Sequence, residues 1–295
     1  MATIPFDDRD GVIWLDGALV PWREARLHVL SHGLHYATAA FEGERAYGGT
    51  IFRLREHTER LLNSARLIGF EVPFTAAAID AACNAVLAAN GLTDAYMRPI
   101  AWRGTEQLAV SPKGTRIHVA IACWEWPHVF GADPMSGLRL AMARWRRPHP
   151  DTAPVRAKAS GLYLIGSMAK AEGEAEGWDD ALMLDWRGRV AEATGANIFF
   201  VQGGELHTPT PECFLDGITR QAVIGLARER QIRVVEREIL PEEMRGADEV
   251  FITGTAAQVT AVRQIGELSY KPGPVTRTLV EDVARLVRRP AAQRP

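Results

Sequence analysis

Short apolar runs separated by tight-turn residues open the chain: residues 12–15 and 18–21 flank Asp16-Gly17, a pair suited to a two-residue hairpin. A second hairpin is expected at Gly48-Gly49. The period then changes. Between 55 and 68 the apolar residues Leu61, Leu62, Ala65 and Ile68 recur at helical spacing, with Gly69 at the stop. Thr75 is placed to cap a helix running to Asn90-Gly91. Residues 96–102 and 117–124 read as strands, so the first half mixes antiparallel strands with segregated helices, an α+β pattern. Turn residues and weak periodicity from Trp126 through Gly131, Pro134 and Gly137 mark a boundary. The expected division is a domain over 1–126, a linker over 127–137 and a second domain over 138–295. In the second domain the pattern predicts a strand at 138–143 and a helix at 162–176. Short strands at 181–185, 190–192, 197–201 and 205–208 follow, joined by turns at Arg187-Gly188 and Gly203-Gly204. A helix at 218–230, strands at 232–236 and 249–253, and an amphipathic helix at 275–288 complete it, with no internal repeat.

Composition narrows the function classes. The chain has 295 residues, 47% hydrophobic and 24% charged, enough for two packed cores. A formal net charge of −2 without a long basic run gives no basis for nucleic-acid binding. The nearest cluster, Arg144-Trp145-Arg146-Arg147 before Pro148, reads as a solvated loop. Three cysteines, Cys83, Cys123 and Cys213, are odd in number and widely spaced, against a disulfide framework and against a zinc site, and a reducing cytoplasm fits them. The start of the chain carries Asp7, Asp8 and Asp10 rather than a basic segment with an apolar core, and no run of eighteen apolar residues follows, so a soluble protein with no membrane role is expected.

Four stretches of the second half carry candidate chemistry: Ala157-Lys158-Ala159-Ser160-Gly161-Leu162-Tyr163, Glu192-Ala193-Thr194-Gly195-Ala196-Asn197, Leu215-Asp216-Gly217-Ile218-Thr219-Arg220 and Gly254-Thr255-Ala256-Ala257. At Asp216-Gly217-Ile218-Thr219 a loop enters a helix whose first amides lack internal partners, which favours a dianionic phosphate, and Thr219 adds a hydroxyl. Gly254-Thr255 follows an apolar strand, where glycine permits close backbone approach and the hydroxyl supplies a second phosphate contact. Arg53 offers the cation. Lys158 contributes an amine, Tyr163 a phenol five residues later, and Glu192 a carboxylate able to hold a pyridine nitrogen protonated. Each feature alone is commoner as a cap, a turn or a surface charge. Together, an amine, a carboxylate and two phosphate cradles describe a pocket for pyridoxal 5'-phosphate.

At these residues the chain resembles the branched-chain aminotransferase family, within the pyridoxal-phosphate enzymes called fold type IV, over roughly residues 11–265. The resemblance implies a smaller N-terminal α/β domain, a larger C-terminal pseudo-barrel domain and the cofactor between them. It also implies a homodimer or higher homo-oligomer, with part of the substrate pocket supplied by the partner subunit. By this likeness Lys158 is the Schiff-base lysine and proton shuttle, Tyr163 contacts the cofactor phenolate and Glu192 pairs with the ring nitrogen. Arg53, Ile218, Thr219 and Thr255 match the phosphate ligands, and Leu215 the residue packed on the ring face. In the first domain, Ser31-His32-Gly33-Leu34-His35-Tyr36 and Phe41-Glu42-Gly43-Glu44-Arg45 are similar to the family's substrate-side segment, and Tyr96-Met97-Arg98 to its carboxylate-side tyrosine and arginine. Tyr36, Phe41, Gly43, Tyr96 and Trp126 then line the side-chain pocket, Arg45 and Arg98 face a substrate carboxylate, Thr255-Ala256 completes the wall, and Leu108 and Val110 sit on a loop reaching the neighbouring subunit. His32 and His35 have no evident carboxylate partner and read as structural rather than metal ligands.

The activity this implies is transfer of the amino group of L-leucine, L-isoleucine or L-valine to 2-oxoglutarate. Two alternatives share the fold: a D-amino-acid or (R)-amine transaminase, and an aminodeoxychorismate-lyase-like enzyme. A third is a non-catalytic pyridoxal-phosphate-binding protein, against which Lys158, Tyr163 and Glu192 stand together. Two departures bear on substrate range rather than cofactor use. Ala196 stands where the family commonly has a glutamate, and Glu44 where an apolar residue is usual.

Overall fold

Asp16 and Gly17 take φ of 49° and 106°, the left-handed values a tight hairpin demands, and join β1 (Val12–Leu15) to β2 (Ala18–Pro21). The computed structural model describes residues 4–126 and 133–289, so residues 127–132 of the expected linker lie outside the described residues. Two compact units result. One takes Met1–Pro127 with Ala157–Gly161, the other His128–Arg156 with Leu162–Pro295. The sequence pattern assigns everything beyond 138 to the second domain, whereas the segment carrying Lys158 groups with the first. Backbone pairing causes this: Ala159 bridges Ala40, and the Phe41 amide donates to the Lys158 carbonyl at 3.0 Å.

The first unit continues through α1 (His32–Tyr36), β3 (Ala39–Phe41), β4 (Glu44–Tyr47) and β5 (Thr50–Ile51). Then come α2 (Leu54–Leu67), α3 (Ala76–Ala89), β6 (Ala95–Arg103) and β7 (Ile117–Trp124). Gly69 ends α2's turn at φ 86°, and the Thr75 hydroxyl caps α3 by accepting from the Ala78 amide at 3.2 Å. The strands form an antiparallel sheet in the order β2-β1-β7-β6-β4-β5, with β3 also on β6. Leu61, Ala65, Ile79 and Val86 of the helices pack with Met97 and Ile121 of the sheet.

The second unit runs β8 (Leu138–Arg147), α4 (Ser160–Ala175), β9 (Asp180–Asp185), β10 (Val190–Ala193), β11 (Asn197–Gln202), β12 (Glu205–Pro209) and α5 (Ile218–Glu229). It closes with β13 (Val234–Arg237), β14 (Glu249–Gly254), β15 (Gln258–Ile265), β16 (Leu268–Ser269) and α6 (Pro274–Leu286). The sheet order is β10-β9-β8-β15-β14-β11-β12-β13. Because β10 pairs with both β9 and β11, the strands from β10 round to β11 close into a ring. Leu140, Leu182, Ile198, Ile252 and Val262 fill its core.

Two differences from the sequence pattern matter. The pattern does not predict strand β15, since Gln258, Thr260, Arg263 and Gln264 interrupt its apolar run; pairing to β14 on one side and β8 on the other makes it a strand. The expected solvated loop at 144–147 is the second. These residues continue β8, whose pairing with β9 is irregular between Met142 and Arg146 and whose exposure alternates from Ala141 to Arg147. Arg144 and Arg146 therefore face solvent, while Arg147 turns inward and is buried.

Candidate active site

In the first unit the Lys158 main chain is clamped at both ends. Its amide donates to the Ser64 hydroxyl at 2.9 Å, and its carbonyl accepts from Phe41. The Lys158 ammonium nitrogen lies 5.2 Å from the centre of the Phe41 ring. The Arg98 guanidinium sits 4.9 Å from the Phe41 ring and 5.2 Å from that of Tyr96, and its Nη2 donates to the Tyr96 hydroxyl at 2.9 Å. Tyr96 stacks on Trp126 with ring centres 4.2 Å apart. Gly43 is buried against the Tyr96 hydroxyl so closely that any Cβ at 43 would overlap it. Arg45 is the cross-strand neighbour of Tyr96, with its guanidinium 4.9 Å over Tyr47. This unit thus brings together Lys158, Phe41, Gly43, Tyr96, Arg98 and Trp126.

The other first-unit candidates stand apart from that group. Tyr36 lies on α1 with its ring 4.6 Å from His32 and is exposed, as are Leu108 and Val110 on the loop before β7. His32 is buried against the Thr38 hydroxyl and His35 meets the Val29 carbonyl, both structural contacts at 2.8 Å. Arg53 occupies the N-cap of α2 at φ 50°, a left-handed conformation uncommon outside glycine and typical of residues constrained by function.

Behind Gly43 lies an ionic cluster that the sequence did not announce. Glu42 is fully buried, with both carboxylate oxygens taken: Arg60 Nε donates to Oε1 at 2.7 Å, and Arg60 Nη2 and His57 Nδ1 donate to Oε2 at 2.9 and 2.7 Å. Burial alone would raise the Glu42 pKa, but the Arg60 charge and these bonds outweigh it and hold the group well below the usual carboxylate range. Burial pushes the His57 pKa down, so a neutral imidazole donates to Glu42 and Arg60 carries the compensating charge.

In the second unit, register explains why a glutamate and an asparagine recur five apart. Glu192 of β10 is the cross-strand partner of Asn197 of β11, which in turn opposes Thr253 of β14, so the three side chains form a row across three strands. Asn197 Nδ2 donates to Glu192 Oε2 at 3.3 Å and to the Leu215 carbonyl at 3.0 Å. Arg147 Nη2 lies 2.8 Å from Glu192 Oε1. The Thr253 hydroxyl is buried without a hydrogen-bond partner. Beside Asn197, the middle of this row, helix α5 starts after Gly217, whose position carries no side-chain cap, leaving the first amides of Ile218 and Thr219 for another acceptor. Thr255 and Ala256 follow β14 and are half-buried, and Tyr163 is half-buried on α4.

A buried carboxylate, an uncapped helix start with a threonine hydroxyl, and an orphaned hydroxyl beside them make a donor set that fits a phosphate-bearing pyridine ring. Sequence reasoning missed Arg147, which only its place on the inward side of β8 separates from exposed Arg144 and Arg146, and Ser64, a small polar residue inside an otherwise ordinary helix. Among the described residues there is no group of three or more histidine, cysteine or acidic side chains arranged for a metal ion.

The ring of strands, the clamped lysine and the carboxylate row define a class of protein, and comparison with known sequences names it: the chain belongs to the class IV amino-transferase family, whose profile matches residues 39–265. A branched-chain-amino-acid aminotransferase of Pseudomonas aeruginosa is 41% identical over 280 residues, covering 92% of this chain and 91% of that one. The solved structure of a branched-chain aminotransferase from Thermoproteus uzoniensis with norvaline matches at a TM-score of 0.91 and 41% identity, over 95% of each chain. The branched-chain amino acid aminotransferase of Escherichia coli matches at a TM-score of 0.91 and 37% identity, again over 95% of each chain. The fold is the fold type IV arrangement of these enzymes.

Proposed function

We propose that this protein is a pyridoxal-phosphate-dependent aminotransferase that moves the amino group of branched-chain L-amino acids to 2-oxoglutarate. The observation that carries the reading is the row of Glu192, Asn197 and Thr253 with the uncapped start of α5 against Asn197, in a chain about 40% identical to branched-chain aminotransferases over nearly its full length. When bound, pyridoxal phosphate supplies an aldehyde for the amino group and a ring that accepts the electrons of the broken Cα–H bond. Lys158 would hold it covalently and, once displaced by the substrate's amine, would take the α-proton on its freed amine and return it. Glu192 keeps the proton on the ring nitrogen, Tyr163 donates to the ring oxygen, and Leu215 covers the ring face. The amides at Ile218 and Thr219, the Thr219 and Thr255 hydroxyls and Arg53 bind the phosphate. Phe41, Tyr96, Trp126 and Tyr36 form the apolar wall, with Gly43 leaving it open. Arg98 and Arg45 are the cations for a substrate carboxylate, and Ala256 borders the same pocket.

A second copy of the chain is the natural partner. Leu27, Val29, Leu30, Leu34, Leu108 and Val110 are exposed in the first unit, more apolar surface than solvent exposure favours. The three cysteines are buried and unpaired, which suits a cytoplasmic enzyme. Among the described residues no helix is long and apolar enough to cross a membrane. The decisive experiment is a screen of single-turnover reactions with amino donors of both hands, read by loss of the bound cofactor's absorbance. L-Leucine, L-isoleucine and L-valine are expected to react fastest. Faster reaction of D-alanine or an (R)-amine would replace the substrate assignment with another of the same fold, and no reaction with any donor would leave a binding protein.

A further inference from the structure

Glu192 is 7% exposed, and a carboxylate so far from water tends to take up a proton unless a partner holds it ionised. The partner is Arg147, itself 8% exposed. Its Nη2 lies 2.8 Å from Glu192 Oε1 and also donates to the Thr194 carbonyl at 3.1 Å, while Nη1 reaches the Leu162 carbonyl at 3.4 Å. The guanidinium is thus tied to the main chain at two points beside Glu192, and Asn197 holds the second carboxylate oxygen. A rigid fork of this kind fixes direction as well as charge.

We propose that Arg147 is a positioning residue: through its ion pair with Glu192 it keeps that carboxylate ionised and aimed before the cofactor arrives, so that the ring nitrogen meets a preformed anion. This rests on the reading of Glu192 as the ring-nitrogen partner. Arg147 never touches the ring in this scheme. Its charge cancels the cost of a lone buried carboxylate, and its two main-chain bonds hold the fork, and Glu192 with it, in one place. No other arginine on β8 can substitute: Arg139 bonds Gln264 and the Gly177 carbonyl, Arg144 is spent on Glu172 at the surface and Arg146 faces solvent.

The test is a double-mutant cycle on the purified holoenzyme with two readouts, melting temperature and the single-turnover rate with L-leucine. Arg147→Met should lower the melting temperature more than Glu192→Gln does, and adding Glu192→Gln to Arg147→Met should restore part of the loss, since the stranded carboxylate is then gone. In the rate, Arg147→Met and Glu192→Gln should each cost at least about tenfold with little change in leucine KM, and the double variant should be no slower than the slower single. Arg147→Lys keeps the charge without the fork and should recover most of the melting temperature but not the full rate; it also carries the cycle if Arg147→Met does not fold. Losses that simply accumulate in both readouts would overturn the proposal, as would an Arg147→Met protein indistinguishable from wild type. If Glu192→Gln leaves the single-turnover rate unchanged, the ring-nitrogen assignment fails instead, and the melting-temperature cycle alone still decides the ion pair.

Discussion

Asn197 and Gly217 meet so closely that a Cβ at position 217 would overlap the asparagine amide oxygen. Gly217 has an ordinary φ of −64°, so space and not backbone conformation demands the glycine here. One amide therefore ties the Glu192 carboxylate, the Leu215 carbonyl and the first turn of α5 into a single unit.

Gly217→Ala is expected to push the Asn197 amide or the start of α5 out of place. Overpacking of this kind costs about 1–3 kcal/mol, and because it falls on the turn proposed to bind the phosphate, cofactor affinity should drop by roughly tenfold or more. Equilibrium titration of the cofactor-free protein with pyridoxal phosphate measures this. An unchanged affinity would separate α5 from phosphate binding.

Four lysines are present, at 113, 158, 170 and 271, and Lys158 has its main chain fastened on both sides. Borohydride reduction followed by peptide mapping should place the cofactor on Lys158. Ser64→Ala removes the acceptor of its amide and should slow the single turnover several-fold while leaving the labelled residue the same. A label on Lys113, Lys170 or Lys271 would refute the assignment.

Glu42 and Glu44, two residues apart, should give stability opposite pH dependences. Glu44 is fully buried and neither carboxyl oxygen has a hydrogen bond of ordinary geometry; burial first, then the charges of Glu42 and Asp80, raise its pKa well above normal. A carboxyl raised in the folded state contributes most below its unfolded value near 4.5, and that contribution is lost as pH rises toward the folded value. Glu42, held low by Arg60 and His57 against its burial, contributes fully above 4.5 and loses that contribution as pH falls. Glu44→Val, which restores the apolar character usual at this position, should therefore raise stability at neutral pH by about 1–3 kcal/mol and remove the decline on the alkaline side. Denaturant melts across pH test it, and a destabilised Glu44→Val protein would contradict it.

Substrate choice should divide between wall and cation. Leucine exceeds alanine by three carbons, each worth about 0.8 kcal/mol against an apolar wall, so kcat/KM should favour leucine by roughly 50-fold. Arg45→Ala should weaken glutamate and 2-oxoglutarate by about 10-fold or more through loss of a charge-assisted bond, with a smaller effect on leucine. Equal losses for both substrates would remove Arg45 from that role.

Local chemistry was legible along the chain wherever neighbours in sequence decide it. The Asp16-Gly17 hairpin, the Thr75 cap and the Gly69 stop depend on a few consecutive residues, and each stands where the pattern placed it. The Glu192 to Asn197 spacing is equally local, because a tight turn between β10 and β11 sets the two residues opposite each other. Long-range pairing was not legible. Strand β15 has too mixed a composition to declare itself and exists because β8 and β14 flank it, and the short β3 draws the Lys158 segment into the first unit through two backbone contacts that no periodicity encodes. Arg147 is the sharpest case. Three arginines within four residues, Arg144, Arg146 and Arg147, look alike in sequence, and only the place of β8 in the sheet turns one of them inward to Glu192 while the other two stay exposed.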